Sequence, residues 1–377
     1  MGAGSWGSVF SMILADAGCE VSLWARNNSI AQDINSTHIN HAYFPELTLP
    51  KNILATTNPD KALTDADLVV LAMPAQTLRG NLSAWSLSIP TDSILVSLIK
   101  GVELGTAERM TEVIAEITKV DTERVAVVSG PNLAHEIAAR EPAATTVACS
   151  NEEFAIKIQD ACTTGYFRPY YTTDVVGVEI AGAVKNVIAL ANGMAVGLGY
   201  GENSQSALMT RGLAEMSRLG VALGANPLTF AGLAGVGDLI ATCQSPLSRN
   251  RTIGVYLGEG KTIEQAQALT RTTSEGVNVS AIQVDTLHKI SKAMQPYFMY
   301  VYDFIEDMKK VFPTLKDDWG IYVPEVKYLS PEPLVDYSNL ALTKYPNVHF
   351  VGDALSARGI TVSGAQGIYV AEDILCN

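Results

Sequence analysis

The sequence predicts an α/β domain built on a parallel sheet, then an all-helical domain, then a short α/β tail of different character. Three features carry that prediction. From Gly2 to about Asp174, short β-rich runs alternate with amphipathic stretches. Continuous apolar strands separated by helices indicate a sheet covered on both faces. From Val175 to Leu269 the chain is rich in Ala, Leu, Gly and Met at helical spacing, with few strand formers. After about Ala281 aromatic residues crowd together (Tyr297, Phe298, Tyr300, Tyr302, Phe304) and prolines return. The division read from these shifts is 1–174, 175–281 and 282–377.

The elements follow in order. Gly2-Ala3-Gly4-Ser5-Trp6-Gly7 fits GxGxxG, and Ser8 to Ala17 continues as a helix ended by Gly18. The glycines of such a loop permit a tight turn and close backbone approach, leaving a pyrophosphate at the helix N-terminus. A loop of this kind normally follows a buried strand, and none precedes Gly2. The expectation is a domain lacking its first strand, with weak support for the loop. Strands are expected at Val21–Trp24, Leu68–Met73, Ile94–Ile99 and Val125–Val128, with a helix over Ala107–Thr118. Ligands of such sheets sit beyond the strands' carboxyl ends. Those ends carry Arg26, Met73-Pro74-Ala75, Lys100-Gly101 and Gly130-Pro131-Asn132, so polar and glycine residues collect there. Val184–Tyr200 is nearly uncharged but holds Lys185 and small-residue breaks, and reads as a core helix and not a membrane span. Thr252–Leu257 is helix-like, and Val348–Val351 is strand-like before Gly352-Asp353.

Composition excludes several function classes. The chain is 47% hydrophobic and 17% charged, with a formal net charge of -13, which argues against nucleic-acid or anionic-membrane partners. A local cluster of Lys and Arg still suits a small anion. Five cysteines without a CxxC pair suggest reduced thiols in a cytoplasmic protein, and no signal peptide is expected. The five histidines lack metal-like spacing with Cys, Asp or Glu, so no metal is expected.

Four places carry candidate chemistry. Arg26 follows the strand end where a ribose-binding acid is usual; it either accepts a 2′-phosphate, which fits NADP, or is a solvated loop arginine. Lys185, within Gly182-Ala183-Val184-Lys185-Asn186-Val187, is a single cation in a small-residue helix. Such a lysine snorkels, pairs, or has a depressed pKa suited to acid–base work on a hydroxyl. Ser245 to Arg251 brings a hydroxyl, an amide and two guanidiniums to a helix start, either a phosphate cradle or a capped surface helix. Asp238 either partners Lys185 or caps its own helix.

Taken together, these stretches resemble the bacterial-type NAD(P)-dependent glycerol-3-phosphate dehydrogenases. The likeness runs from Gly2 to about Ala281. It takes in GAGSWG, Leu98-Ile99-Lys100-Gly101, Ser129-Gly130-Pro131-Asn132-Leu133-Ala134 and the Lys185 segment. It continues through Thr210 to Met216, Gly235-Val236-Gly237-Asp238-Leu239, Ser248-Arg249-Asn250-Arg251 and Ser274-Glu275-Gly276-Val277. The resemblance implies a Rossmann-type domain and a helical substrate domain with the site in the cleft between them. The implied reaction is hydride transfer between NAD(P)H and dihydroxyacetone phosphate, giving sn-glycerol 3-phosphate for phospholipid synthesis.

By similarity Lys185, Lys100 and Asp238 are catalytic. Lys185 acts as general acid/base and Lys100 polarises the carbonyl. Gly130, Asn132, Asn186, Ser248, Arg249 and Asn250, with the two lysines and Asp238, hold the substrate. Gly2, Gly4, Ser5, Trp6, Gly7, Arg26, Lys100, Ala134, Arg249 and Glu275 contact NAD or NADP. A small phosphorylated substrate and a homodimer are the implied partners. The tail, Tyr345 to Asp353 with Ser363-Gly364-Ala365-Gln366-Gly367, resembles the flavin-contacting end of FAD-dependent oxidoreductases. No second GxGxxG accompanies it, so the reading is that it binds no FAD. Two other readings stand beside the dehydrogenase: a non-catalytic truncation and fusion product, and a flavoprotein fragment.

Overall fold

In the computed structural model, which describes residues 1–270 together with 335–336, 341–342 and 345–349, the chain divides into two compact units, Met1–Glu325 and Val326–Asn377. The sequence-based boundaries at 174 and 281 both fall inside the first unit. Glu275, Phe350–Gly352, Asp353 and Ser363–Gly367 lie outside the described residues.

The glycine loop runs straight into α1 (Ser5–Asp16), which begins three residues earlier than the sequence suggested. Its Val9, Phe10, Met12 and Ile13 are fully buried or nearly so. Gly18, at φ +98°, ends it in the left-handed region that glycine adopts without strain. β1 (Val21–Trp24) then leads into α2 (Asn28–Thr37), capped by the Asn27 side chain. A small antiparallel hairpin follows, β2 (Ile39–Asn40) and β3 (Phe44–Thr48), before β4 (Ile53–Thr56) returns parallel to β1.

After α3 (Pro59–Leu63) come β5 (Leu68–Leu71), α4 (Leu78–Trp85), β6 (Ile94–Ser97), α5 (Met110–Thr118) and β7 (Val125–Ser129). Then α6 (Ala134–Ala138), β8 (Ala143–Cys149), α7 (Glu152–Ala161) and β9 (Phe167–Thr172) complete a five-stranded sheet of order β5-β6-β7-β8-β9. This sheet is mixed, which corrects the expectation of a parallel one: β7 and β8 pair antiparallel. The single helix between them has 5 residues, too short to carry the chain back along β7.

Met1 and Gly2 tie the glycine loop to the strands on either side. β1–β4 and β5–β9 are separate sheets, and Met1 with Gly2 lies between them. The Gly2 N–H donates to the Trp24 carbonyl (3.1 Å), the Ala72 N–H to the Met1 carbonyl (3.0 Å), and the Met1 amine to the Val70 carbonyl (2.6 Å).

The rest of the first unit that is described is helical. Asp174 caps α8 (Val175–Gly197), followed by α9 (Glu202–Ala222) and α10 (Pro227–Phe230). A π-type turn at Leu233–Gly237 leads into α11 (Asp238–Gln244), α12 (Arg249–Gly258) and α13 (Ile263–Thr270). By length and composition α8 could cross a membrane, but 67% of its apolar window is buried in the protein, as expected of a core helix. It packs on the sheet through Val178, which shares a core cluster with Val127 and Ala148. The second unit contains the antiparallel strands β10 (Val335–Asp336), β11 (Ala341–Leu342) and β12 (Tyr345–His349).

Candidate active site

Lys185 sits in the middle of α8 and is 4% exposed, so it does not snorkel. A buried ammonium needs a partner, and the first residue of α11 supplies one. Lys185 Nζ donates to Asp238 Oδ1 (2.8 Å) and to Thr242 Oγ1 (2.6 Å). Lys100, just past the end of β6, donates to the other oxygen, Asp238 Oδ2 (2.7 Å), and to the Gly130 carbonyl (2.9 Å). One buried carboxylate therefore bridges two ammonium groups brought from the sheet and from the helices. Of the two sequence readings for Asp238, the structure selects the partner of Lys185.

Electrostatics follow from this packing. Burial pushes Lys185 down from 10.5 to about 8, and nearby Lys100 adds to the shift while Asp238 opposes it. A lysine poised there both gives and takes a proton near neutral pH. Around it, Asn186 Nδ2 donates to the Lys100 carbonyl (3.0 Å), and Asn250 Nδ2 donates to Asn186 Oδ1 (2.9 Å). The start of α12 is thereby tied to α8 beside the lysines. Ser248 caps α12 by accepting from the Arg251 N–H (3.3 Å), so its hydroxyl is in part occupied. Arg249, the first residue of that helix, is exposed.

A cavity of about 650 Å³ joins these groups to the glycine loop. Gly4, Ser5, Trp6 and Gly7 line it together with Lys100, Lys185 and Asp238. Asn132, Ala134, Asn186, Ser248, Arg249 and Asn250 lie along its walls. Among the described residues, three predicted ones are not on the lining: Gly2, Gly130 and Arg26. Gly2 serves the backbone instead: a Cβ there would lie 2.2 Å from the Ala72 carbonyl oxygen, and its φ is +120°. Gly130 contributes its carbonyl to Lys100. Arg26 is exposed beyond β1, and its two sequence readings both stand.

The lining suits an extended anionic cofactor. α1 starts without a side-chain cap, which leaves its first N–H groups unpaired at the cavity. A Cβ on Gly4 would meet open space, whereas one on Gly7 would sit 1.9 Å from the Gly2 carbonyl oxygen. Gly4 thus leaves room for a ligand, and Gly7 lets the helix close on the loop. Asn132 Oδ1 is buried with no hydrogen-bond partner, while its Nδ2 donates to Thr145 Oγ1 (2.9 Å).

Thr242 and His135 are among the lining residues that the sequence did not single out as site residues. Thr242 lies one helical turn after Asp238, a spacing that could have revealed it. His135, read there only as a scattered histidine, lines the cavity from α6 and packs on Phe44 at 4.9 Å between ring centroids. No local pattern marks it.

Comparison with known proteins bears on this geometry. The family models described as NAD-dependent glycerol-3-phosphate dehydrogenase N-terminus and C-terminus match residues 1–155 and 174–315. The second match continues past 281, where the sequence reading placed the start of an unrelated tail. Glycerol-3-phosphate dehydrogenase (NAD(P)+) of Streptomyces avermitilis is 59% identical over 276 residues, 73% of this chain and 82% of that protein. The protein of the same name from Corynebacterium diphtheriae is 59% identical over 278 residues, 74% of this chain and 84% of its own. A crystal structure of glycerol-3-phosphate dehydrogenase from Coxiella burnetii superposes with a TM-score of 0.72 at 32% identity, covering 78% of this chain and 88% of that one.

Proposed function

The chain belongs to the NAD-dependent glycerol-3-phosphate dehydrogenase family, and from that premise we propose how its own residues carry out the reaction. It is an NAD(P)-dependent oxidoreductase that reduces dihydroxyacetone phosphate to glycerol 3-phosphate. The nicotinamide, when bound, supplies or accepts the hydride. The glycine loop and the uncapped start of α1 receive the cofactor's pyrophosphate. Asn132 and the Arg249-Asn250 start of α12 hold the phosphorylated substrate, with the guanidinium supplying charge-assisted hydrogen bonds. Lys100 polarises the carbonyl, and Lys185 delivers a proton to the carbonyl oxygen as hydride reaches the carbon. Asp238 keeps both ammonium groups in place and offsets their mutual repulsion. A homodimer in the cytoplasm is part of the same proposal.

The observation that carries this reading is the Lys100–Asp238–Lys185 bridge on the lining of the same cavity as the glycine loop. The test is loss of reduced-nicotinamide absorbance on adding dihydroxyacetone phosphate. Lys185→Met should lower kcat by about 100-fold or more, the scale of general acid catalysis, with cofactor binding intact. Unchanged turnover in that variant would remove Lys185 from the mechanism.

A further inference from the structure

The hairpin β2–β3 carries a buried amide whose contacts point at the cofactor loop and not at its own strand. Asn40 is 1% exposed. Its Nδ2 donates to the Ala3 carbonyl (3.2 Å) and to the Ser8 hydroxyl (2.9 Å). These partners stand 37 and 32 residues away in sequence, so the bonds are tertiary. One holds the glycine loop and the other the first turns of α1.

The Ala3 carbonyl matters because it sits between two glycines. Gly2 and Gly4 leave the backbone on either side free to rotate, so the Ala3–Gly4 peptide could turn over. In a trans peptide the C=O and N–H point in opposite directions. Holding the Ala3 oxygen against Asn40 therefore directs the Gly4 N–H away from Asn40, and Gly4 lines the cavity. On the sheet side the loop is tied through the bonds of Met1 and Gly2. The hairpin side supplies the remaining anchor, and the same hairpin places Ala42 and Tyr43 on the cavity wall.

We propose that Asn40 is a positioning residue for the cofactor: through Ala3 and Ser8 it presets the glycine loop in its anion-receiving conformation. The proposal rests on the reading that this loop binds NAD(P). Because Asn40 acts before binding, its loss raises the cost of ordering the loop and leaves Lys100 and Lys185 untouched.

The test is NADPH titration, read by tryptophan fluorescence, with steady-state kinetics alongside. Asn40→Ala should weaken NADPH binding and raise the cofactor KM by about ten-fold, the scale of one or two lost buried hydrogen bonds. The KM for dihydroxyacetone phosphate and kcat at saturating cofactor should stay at wild-type values. Ser8→Ala, which removes one anchor, should give a smaller shift in the same direction, and carries the test if Asn40→Ala does not fold. Ile158→Val, in the same buried cluster but remote from the loop, should lower thermal stability without changing cofactor affinity. Wild-type cofactor affinity in both anchor variants would overturn the proposal, as would an equal loss of affinity in Ile158→Val. If the wild-type protein binds neither NADPH nor NADH, the functional reading of the loop fails instead.

Discussion

At the scale of single residues, the site is a problem in burying charge. Three ionised groups, Lys100, Asp238 and Lys185, share one wall, and Lys185 and Asp238 are 4% and 2% exposed. Asp238 accepts from both lysines, yet desolvation still wins at Lys185 and brings it to about 8. The direction of the pH effect follows. Reduction of the ketone needs Lys185 protonated, so kcat/KM for reduction should fall as pH rises through about 8. Oxidation of the alcohol needs it neutral, so kcat/KM in that direction should rise through the same range. Rate profiles measured both ways check this, and parallel profiles would exclude Lys185 as the proton carrier.

At the scale of elements, glycine spacing decides how near α8 and α12 come. Gly193 and Gly197 on α8 face Gly254 and Gly258 on α12. A Cβ on Gly193 would lie 2.1 Å from the Arg251 carbonyl oxygen, and one on Gly254 would lie 2.1 Å from that of Leu190. The backbones touch, so no flexible side chain can yield. This approach lets Asn250 reach Asn186 at the site end of the pair. Gly254→Ala should therefore cost about 1–3 kcal/mol by overpacking. It should also lower turnover, because misplacing a substrate-holding group by 1 Å costs up to about 100-fold. Gly165→Ala meets open space and should match the wild type in urea unfolding and in kcat/KM.

At the scale of the molecule, the sheet and the helices must hold a fixed relation, since each supplies one of the two lysines. Besides the apolar contact of Val178, a buried ion pair locks them. Glu179, on α8, accepts from Arg109 Nη1 (2.8 Å) and from the Thr111 N–H (2.9 Å) at the start of α5. Burial raises the pKa of this carboxyl, while Arg109 and Thr111 pull it back. Glu179→Ala leaves Arg109 with Glu112 (2.7 Å) but strips the buried Thr111 N–H of its acceptor, so it should lose about 1–3 kcal/mol in urea unfolding. A loss under about 1 kcal/mol would show that the apolar contact alone sets the domain relation.

The sequence by itself determined the parts whose signal is local. The glycine loop, the apolar runs of β1, β5, β6 and β7, the isolated cation of α8 and the capped start of α12 were all legible, because each is written in adjacent residues. The family likeness rested on the same local motifs. Strands β4, β8 and β9 were less legible: Pro169 interrupts β9, and β8 reads as small residues and threonines. The antiparallel turn of β8 depends on the length of a connection, and the bonds of Met1 and Gly2 reach partners at Trp24, Val70 and Ala72. Only the tertiary structure chose between the readings of Lys185 and Asp238, and only it brought Asn40 to the glycine loop. The physical reason is the same in each case: a buried charge or amide is defined by the partner that satisfies it, and that partner comes from a distant part of the chain.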